Sequence, residues 1–175
     1  ILSNNANNFF NNHISSVKVS KKNKYLKAQD GVLYSKNMKI LYYYPAMKQN
    51  KKFTIPSTVT RVVRYAFANN NFIEQLNMGE NIYAVDMGWF DKCANLKRIN
   101  MPPELQSVDS YVEYSGLESL EKVTLSESNK YFSIYDDTLY SKDYKTLYVM
   151  PFGKSSLELA PQVESIVYLD MVNDR

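Results

Sequence analysis

Apolar residues return along this chain at a nearly fixed interval. Phe53, Leu76, Ile99 and Val123 lie 23, 23 and 24 residues apart, and Ile55, Met78, Met101 and Leu125 repeat that spacing two positions later. Val59, Ile82 and Leu105 make a third column, Val62, Val85 and Val108 a fourth, and Phe67, Phe90 and Tyr114 a fifth. Each apolar-x-apolar pair has the period of two of a short strand that turns both residues inward. A turn with Pro56, or with Pro102 and Pro103, leads to the second apolar pair. A short helical or 3-10 return carrying the aromatic column then brings the chain to the next strand. A period of roughly 20 to 50 residues, held in several columns at once, marks a stacked-repeat solenoid. The expected class is therefore α/β, with short parallel strands stacked about 4.8 Å apart. One unit cannot bury its inner face alone, so each depends on its neighbours.

A second regularity is a duplication. Residues 17–45 and 123–151 align without a gap at an offset of 106. Asn23, Tyr25, Asp30, Leu33, Tyr34, Ser35, Lys36, Leu41 and Pro45 are matched by Asn129, Tyr131, Asp136, Leu139, Tyr140, Ser141, Lys142, Leu147 and Pro151. The middle of each copy reads as a β-hairpin, with Val32 to Ser35 and Ile40 to Tyr44 as β-prone runs around Lys36–Lys39. Asp30-Gly31 favours a tight turn before the first of these strands, and Asp137 takes the place of the glycine in the second copy. Pro45 and Pro151 end the hairpins, because proline cannot donate to a ladder. The two inserted hairpins are placed at about residues 23–45 and 129–151.

Residues 1–13, rich in asparagine, are expected to form an irregular end, and residues 14–175 a single repeat domain. Leu157, Leu159, Val163, Ile166 and Val167 restart the columns after the second hairpin, and Leu169, Met171 and Asn173 continue them. The array is thus expected to stop mid-repeat at Arg175. No basic stretch with an apolar core follows Ile1, so a signal peptide is expected to be absent or already removed.

The unit AFANNNFIEQLNMGENIYAV from Ala66, followed by WFDKCANLKRINMPPELQSV from Trp89, resembles the BspA-like leucine-rich repeat family. Its copies carry an aromatic, a small or Cys position, then Leu-x-x-Ile-x-Leu-Pro. Cys93, Leu96, Ile99, Met101 and Pro102 stand at those positions, while Asn70 and Leu117 replace the cysteine in adjacent copies. The hairpin with Asp-Gly-Val-Leu-Tyr-Ser-Lys and a closing proline also recurs in such proteins. The resemblance covers roughly residues 14 to 171. It implies a leucine-rich-repeat solenoid from a bacterial cell-surface or secreted protein that acts by binding, adhesins among them, with no catalytic residues to carry over.

Composition narrows the chemistry. Fifteen Tyr and eight Phe make an aromatic-rich chain, and five Gly are too few for an architecture with glycine at each turn. No apolar run approaches the roughly 18 residues needed to cross a bilayer. With one His, His13, and one Cys, Cys93, the chain offers no transition-metal cluster, and no Gly-rich phosphate loop or calcium loop is present. Cys93 shares its column with Asn70 and Leu117, which is a structural rather than a nucleophilic setting. Asp136-Asp137 aligns with Asp30-Gly31 and so reads as turn chemistry. No enzymatic activity and no cofactor are expected.

Charge is distributed unevenly. Residues 1–70 hold twelve Lys or Arg against the single acid Asp30, whereas residues 71–175 hold nine against seventeen acids. Such a dipole along the chain bears on partners and also allows end-to-end association. Two candidate binding surfaces follow. One is the outward ladder between the inward pairs, Lys18, Thr54, Asn77, Asn100, Thr124 and Glu158, a row of donors and acceptors suited to a protein or glycan. The other sets Tyr42, Tyr43 and Tyr44 beside Lys48, Lys51 and Lys52, where aromatics stack on sugar rings and lysines neutralise anions. Alternation along a strand separates Tyr43 from Tyr42 and Tyr44. The expected partner is an extracellular protein or an anionic glycan. Nucleic acid is disfavoured, since no recognition helix or stacking sheet accompanies the charge. The expected function is adhesion or protein interaction at the cell surface or in the extracellular medium. The alternative is a structural or targeting segment of a larger surface protein.

Overall fold

The computed structural model describes residues 13–109 and 116–167. The first module contains β1 (Leu26–Gln29), β2 (Val32–Ser35) and β3 (Ile40–Tyr43). The array follows as β4 (Lys52–Thr54), β5 (Arg61–Val62), β6 (Gln75–Asn77), β7 (Ala84–Asp86), β8 (Arg98–Asn100), β9 (Ser107–Asp109) and β10 (Lys122–Thr124). The second module contains β11 (Phe132–Tyr135), β12 (Thr138–Ser141) and β13 (Thr146–Val149), and β14 (Ser165–Ile166) follows it.

The sequence period is the strand register. β4, β6, β8 and β10 form one parallel sheet in which Phe53, Leu76, Ile99 and Val123 are direct partners, as are Thr54, Asn77, Asn100 and Thr124. This is the front sheet. Strands last only three residues because a turn follows each one, and the inward residue at the centre carries the packing. Leu76, Ile99 and Val123 are buried in one apolar cluster that runs from Val32 to Val149. On the back, β3 pairs with β5 and β7 with β9, again in parallel. The ladder is interrupted between β5 and β7. A cleft of about 400 Å³ opens there, lined by Arg61, Arg64, Tyr83, Asp86, Trp89 and Asp109 among others.

The expected helical half of the α/β class is absent among the described residues. Among the described residues the helical structure is one four-residue 3-10 turn, Met87–Phe90, whose N-cap Asp86 accepts from the Gly88 N–H at 2.8 Å. The architecture is a mostly-β solenoid, and the hydrogen bonds of the return segments explain why. Tyr65, Phe67 and Asn69 donate their N–H groups to Gly88, Trp89 and Asp91 of the next rung, at 3.1, 3.0 and 2.9 Å. The residues between them, Ala66, Ala68 and Asn70, donate three positions back within their own rung. Every second donor is therefore taken by a neighbour, and a continuous helix cannot form. Left-handed φ angles at Tyr65 (64°), Asn69 (63°) and Lys92 (56°) break the helical path further.

The aromatic column sits inside these returns. Tyr44, Phe67 and Phe90 stack with ring centroids 5.3 and 5.8 Å apart, and Phe53 lies 4.7 Å from Tyr44. Tyr114, assigned to the same column, lies outside the described residues, as do Leu169, Met171 and Asn173.

Antiparallel strands occur in both copies of the duplicated stretch, but as three-stranded meanders rather than two-stranded hairpins. The Asp-Gly turn joins β1 to β2 instead of preceding the first strand. Its two residues have φ of 50° and 78°, and Asp136 and Asp137 between β11 and β12 have 43° and 61°. Two consecutive left-handed residues form the type I′ turn that suits the twist of a tight hairpin. The next turn places Met38 (φ 60°) and Tyr144 (φ 63°) alike. β3 then leaves the meander to pair with β5, and β13 with β14, so the last strand of each module is also a rung of the solenoid.

Candidate functional site

The outward side of the front sheet carries two rows. In the first, Asn77 Nδ2 donates to Thr54 Oγ1 at 2.9 Å, Asn100 Nδ2 to Asn77 Oδ1 at 2.5 Å, and Thr124 Oγ1 to Asn100 Oδ1 at 2.6 Å. Gln75 Nε2 adds a second donor to Asn77 Oδ1 at 3.1 Å. The ladder expected as a row of free donors and acceptors is largely bonded to itself, which fixes its rotamers and fills both acceptor positions of Asn77 Oδ1. The second row, two residues earlier on each strand, is Lys52, Gln75, Arg98 and Lys122. Lys122 reaches Asp137 at 2.9 Å, whereas Lys52 and Arg98 form no ion pair among the described residues. A third row at the strand entrance neutralises itself, with Glu74 held by Lys51 at 2.8 Å and by Lys97 at 3.8 Å. That contact with Lys51 lowers the Glu74 pKa and raises that of Lys51.

The second sequence candidate comes apart. Tyr44 is fully buried in the aromatic column and Tyr43 is 1% exposed, so neither can meet a ligand. Alternation fails at Tyr44 because β3 ends at Tyr43 and the Tyr44 N–H turns to Ala66 O. Tyr42 is half-buried against the core. The Lys48 ammonium donates to Asp30 O at 2.6 Å and Lys51 is paired, which leaves Lys52 as the one member of the group that joins the front face with an unpaired charge. Lys18 is exposed on a segment tied to the first module through Val17 N–H and Gly31 O at 2.8 Å, outside the front sheet. Gln75, Arg98 and Lys122 are not among the residues that the sequence points to, although they follow Lys52 at successive steps of 23, 23 and 24 residues, the interval of the apolar columns.

At the far end of the front sheet lies a groove of about 440 Å³ lined by Arg98, Lys122, Asp137 and Lys154 among others. Lys154 Nζ stands 2.6 Å from Asp136 Oδ1, and the Glu158 N–H donates to Asp136 Oδ2 at 2.8 Å. The backbone donor first, and Lys154 second, hold the Asp136 carboxyl below the usual range. Its folded pKa is thus lower than its unfolded one. The stabilising contribution is present above about pH 4 and is lost as pH falls through the folded value. The gap in Tm between the parent chain and Asp136→Asn is expected to be open near about pH 7 and to close toward about pH 2. A gap that stays constant would assign the contact no role.

Cys93 and Asp86 are both engaged within the fold. Cys93 is buried, its thiol pushed up to about 12 by that burial, and it donates to Phe67 O at 3.1 Å. Asp86, at the mouth of the back cleft, is raised by burial, with the Gly88 N–H and then Arg64 opposing. Among the described residues no group of three His, Cys, Asp or Glu could hold a metal ion, and no helix is long and apolar enough to cross a membrane.

Comparison with known proteins agrees with this architecture. A leucine-rich repeat protein from Eubacterium ventriosum superposes with a TM-score of 0.58 at 22% identity, over 87% of this chain and 42% of that one. The pneumococcal vaccine antigen PcpA superposes with a TM-score of 0.54 at 16% identity, over 87% of this chain and 45% of that one. The chain thus spans less than half the length of either. No curated protein matches it in sequence. Six repeat copies across residues 41–143 match the family described as BspA type leucine rich repeat region, and the chain belongs to that family.

Proposed function

We propose that the chain is a non-enzymatic protein-interaction module of a cell-surface or secreted protein, with adhesion as its working role. Its contact face is the outward side of the front sheet, and its partner presents an extended, acidic protein segment. Leucine-rich repeats usually mediate protein interaction, and the second neighbour is a vaccine antigen of a pathogen. The observation that carries the reading is the pair Lys52 and Arg98, without an ion pair among the described residues and two rungs apart on a sheet whose adjoining row is locked by its own hydrogen bonds. Cations held on a rigid face meet an anionic strand without further ordering, which is where complementary charge gains both rate and selectivity.

The direct test is binding to an immobilised oligoglutamate peptide. The parent chain is expected to bind at low salt and to release as salt rises. The double substitution Lys52→Glu/Arg98→Glu is expected to weaken binding about tenfold or more. Equal binding by the two chains, or none by the parent at low salt, would overturn the assignment. The span of less than half of both structural neighbours favours a second reading, a structural or targeting segment of a larger surface protein whose activity lies elsewhere.

A further inference from the structure

The two modules can be compared position by position, and nearly every residue identical between them has an internal task. Asn23 Oδ1 accepts from the N–H groups of Tyr25 and Leu26 at 2.8 and 2.9 Å, and Asn129 Oδ1 does the same for Tyr131 and Phe132 at 2.9 and 2.8 Å. Ser35 and Ser141 Oγ each accept from the N–H five residues on, at 2.9 Å. The Lys36 and Lys142 ammonium groups donate to the carbonyls of Asn23 and Asn129 at 2.8 and 2.6 Å. Leucines 33, 41, 139 and 147 and tyrosines 34 and 140 are buried. Two identical pairs are exposed in both copies and have no side-chain bond in either among the described residues, Lys24 with Lys130 and Tyr25 with Tyr131.

Both tyrosines are rigidly mounted and open to water. The backbone of each is held on both sides, by the asparagine at its N–H and by the Lys36 or Lys142 N–H at its carbonyl, at 2.7 and 2.9 Å. Their side chains are nonetheless exposed, with 79% of Tyr25 and 51% of Tyr131 accessible, and they are among the most exposed large apolar groups described. Each tyrosine is preceded by an exposed lysine and bonded through its carbonyl to the backbone of a second, Lys36 or Lys142. Lys24 and Lys130 are exposed neighbours in sequence, and each fixed ammonium spends only one of its three donors on the asparagine carbonyl. The first copy adds exposed Lys21, Lys22 and Lys27, for which no acidic partner exists among the described residues.

We propose that Tyr25 with Lys24 and Lys36, and Tyr131 with Lys130 and Lys142, are two equivalent subsites for an anionic polysaccharide. The flat ring face takes a sugar ring, and the lysines take its carboxylate or sulfate groups. A repeating polymer suits the arrangement because the modules recur along one solenoid. The steps from β4 to β10 and the flanking turns set them roughly 20 Å apart at about 4.8 Å per rung. One chain that fills both subsites gains avidity that a short fragment does not. The first subsite is the stronger, since four exposed lysines lie within four residues of Tyr25 and one within four residues of Tyr131. These subsites are separate from the front sheet and do not depend on the role proposed for it.

The test uses the full chain, a sulfated uronate-containing tetrasaccharide and the corresponding long polymer. Titration calorimetry at low salt is expected to give two tetrasaccharide sites in the parent chain and one in either Tyr25→Ala or Tyr131→Ala. Polymer affinity is expected to fall at least tenfold in each single variant, more for Tyr25→Ala. Tyr25→Phe is expected to retain binding, since stacking needs the ring and not the hydroxyl. The front-sheet double variant Lys52→Glu/Arg98→Glu should bind the polysaccharide as the parent does, and the tyrosine variants should bind oligoglutamate as the parent does. The inference is overturned by no tetrasaccharide binding at low salt, by unchanged binding in Tyr25→Ala/Tyr131→Ala with the fold intact by circular dichroism, or by tighter, equally tyrosine-dependent binding of a single-stranded oligonucleotide.

Discussion

Asn70→Ala is expected to lower the free energy of unfolding by about 3 kcal/mol or more, read as a shift of the urea midpoint at unchanged slope. The side chain is fully buried and makes four bonds. Its Nδ2 donates to Pro45 O at 2.8 Å and Lys48 O at 3.1 Å, and its Oδ1 accepts from the N–H groups of Phe72 and Ile73, both at 2.9 Å. One amide therefore satisfies two carbonyls of the first module and two donors of its own turn. Truncation strips partners from four backbone groups at once, and each group left buried and unpaired costs about 1–3 kcal/mol before water relieves some of them. Asn70→Asp is the informative companion. It keeps the acceptor for Phe72 and Ile73 and loses the donor to Pro45 and Lys48, so it should be destabilising through the half of the contact that ties the array to the chain leaving the first module. A loss under about 1 kcal/mol for Asn70→Ala would mean that the turn is held by the chain around it and not by this side chain.

The second large effect is expected at Phe67→Ala, about 3–5 kcal/mol. Phe67 is 1% exposed and touches the aromatic column on both sides, with ring centroids 5.3 Å from Tyr44, 5.8 Å from Phe90 and 6.0 Å from Phe53. The rings come from successive rungs and cannot collapse into the space, because their backbones are pinned by the inter-rung bonds of the return segments. The cavity should persist, and the cost should lie at the upper end of the range. Phe67→Leu refills most of the volume and is expected to recover more than half of the loss. If Phe67→Ala instead costs no more than an Ile-to-Val change, about 1 kcal/mol, the column packs loosely and contributes little.

The front sheet was legible because its two constraints coincide in sequence. Phe53, Leu76, Ile99 and Val123 repeat at the interval that the parallel register requires, so a column in the sequence is a rung in space. The return segments were less legible. Their apolar spacing fits a helix as well as a stitched loop, and only the positions of left-handed residues such as Tyr65 and Lys92 tell the two apart. Non-glycine residues give little warning of that conformation. β1 was missed because Leu26–Gln29, with Lys27 and Gln29 outward, lacks β-branched residues, although Phe132–Tyr135 of the second copy carries the pattern more clearly. The candidate face was half visible. Outward alternation located Thr54, Asn77, Asn100 and Thr124, but only hydrogen-bond geometry shows that these side chains engage one another. Tyr44 was misplaced for a related reason, since strand alternation holds only while the strand lasts.

The Asp136-Asp137 turn has a consequence for the size of what the front face can hold. A parallel sheet has no intrinsic length, and its unpaired edge invites a further strand. Here β10 offers its outer N–H at Val123 to the carbonyl of Asp137 at 2.9 Å, a turn residue whose chain immediately reverses. The sheet ends at β10 on this side and at β4 on the other. Three steps of about 4.8 Å give a row roughly 14 Å long, the reach of about four residues of extended chain. With the front face as the contact surface proposed above, the turn beyond β10 marks one end of a ruler, and the number of repeats in the sheet sets how long a segment it spans.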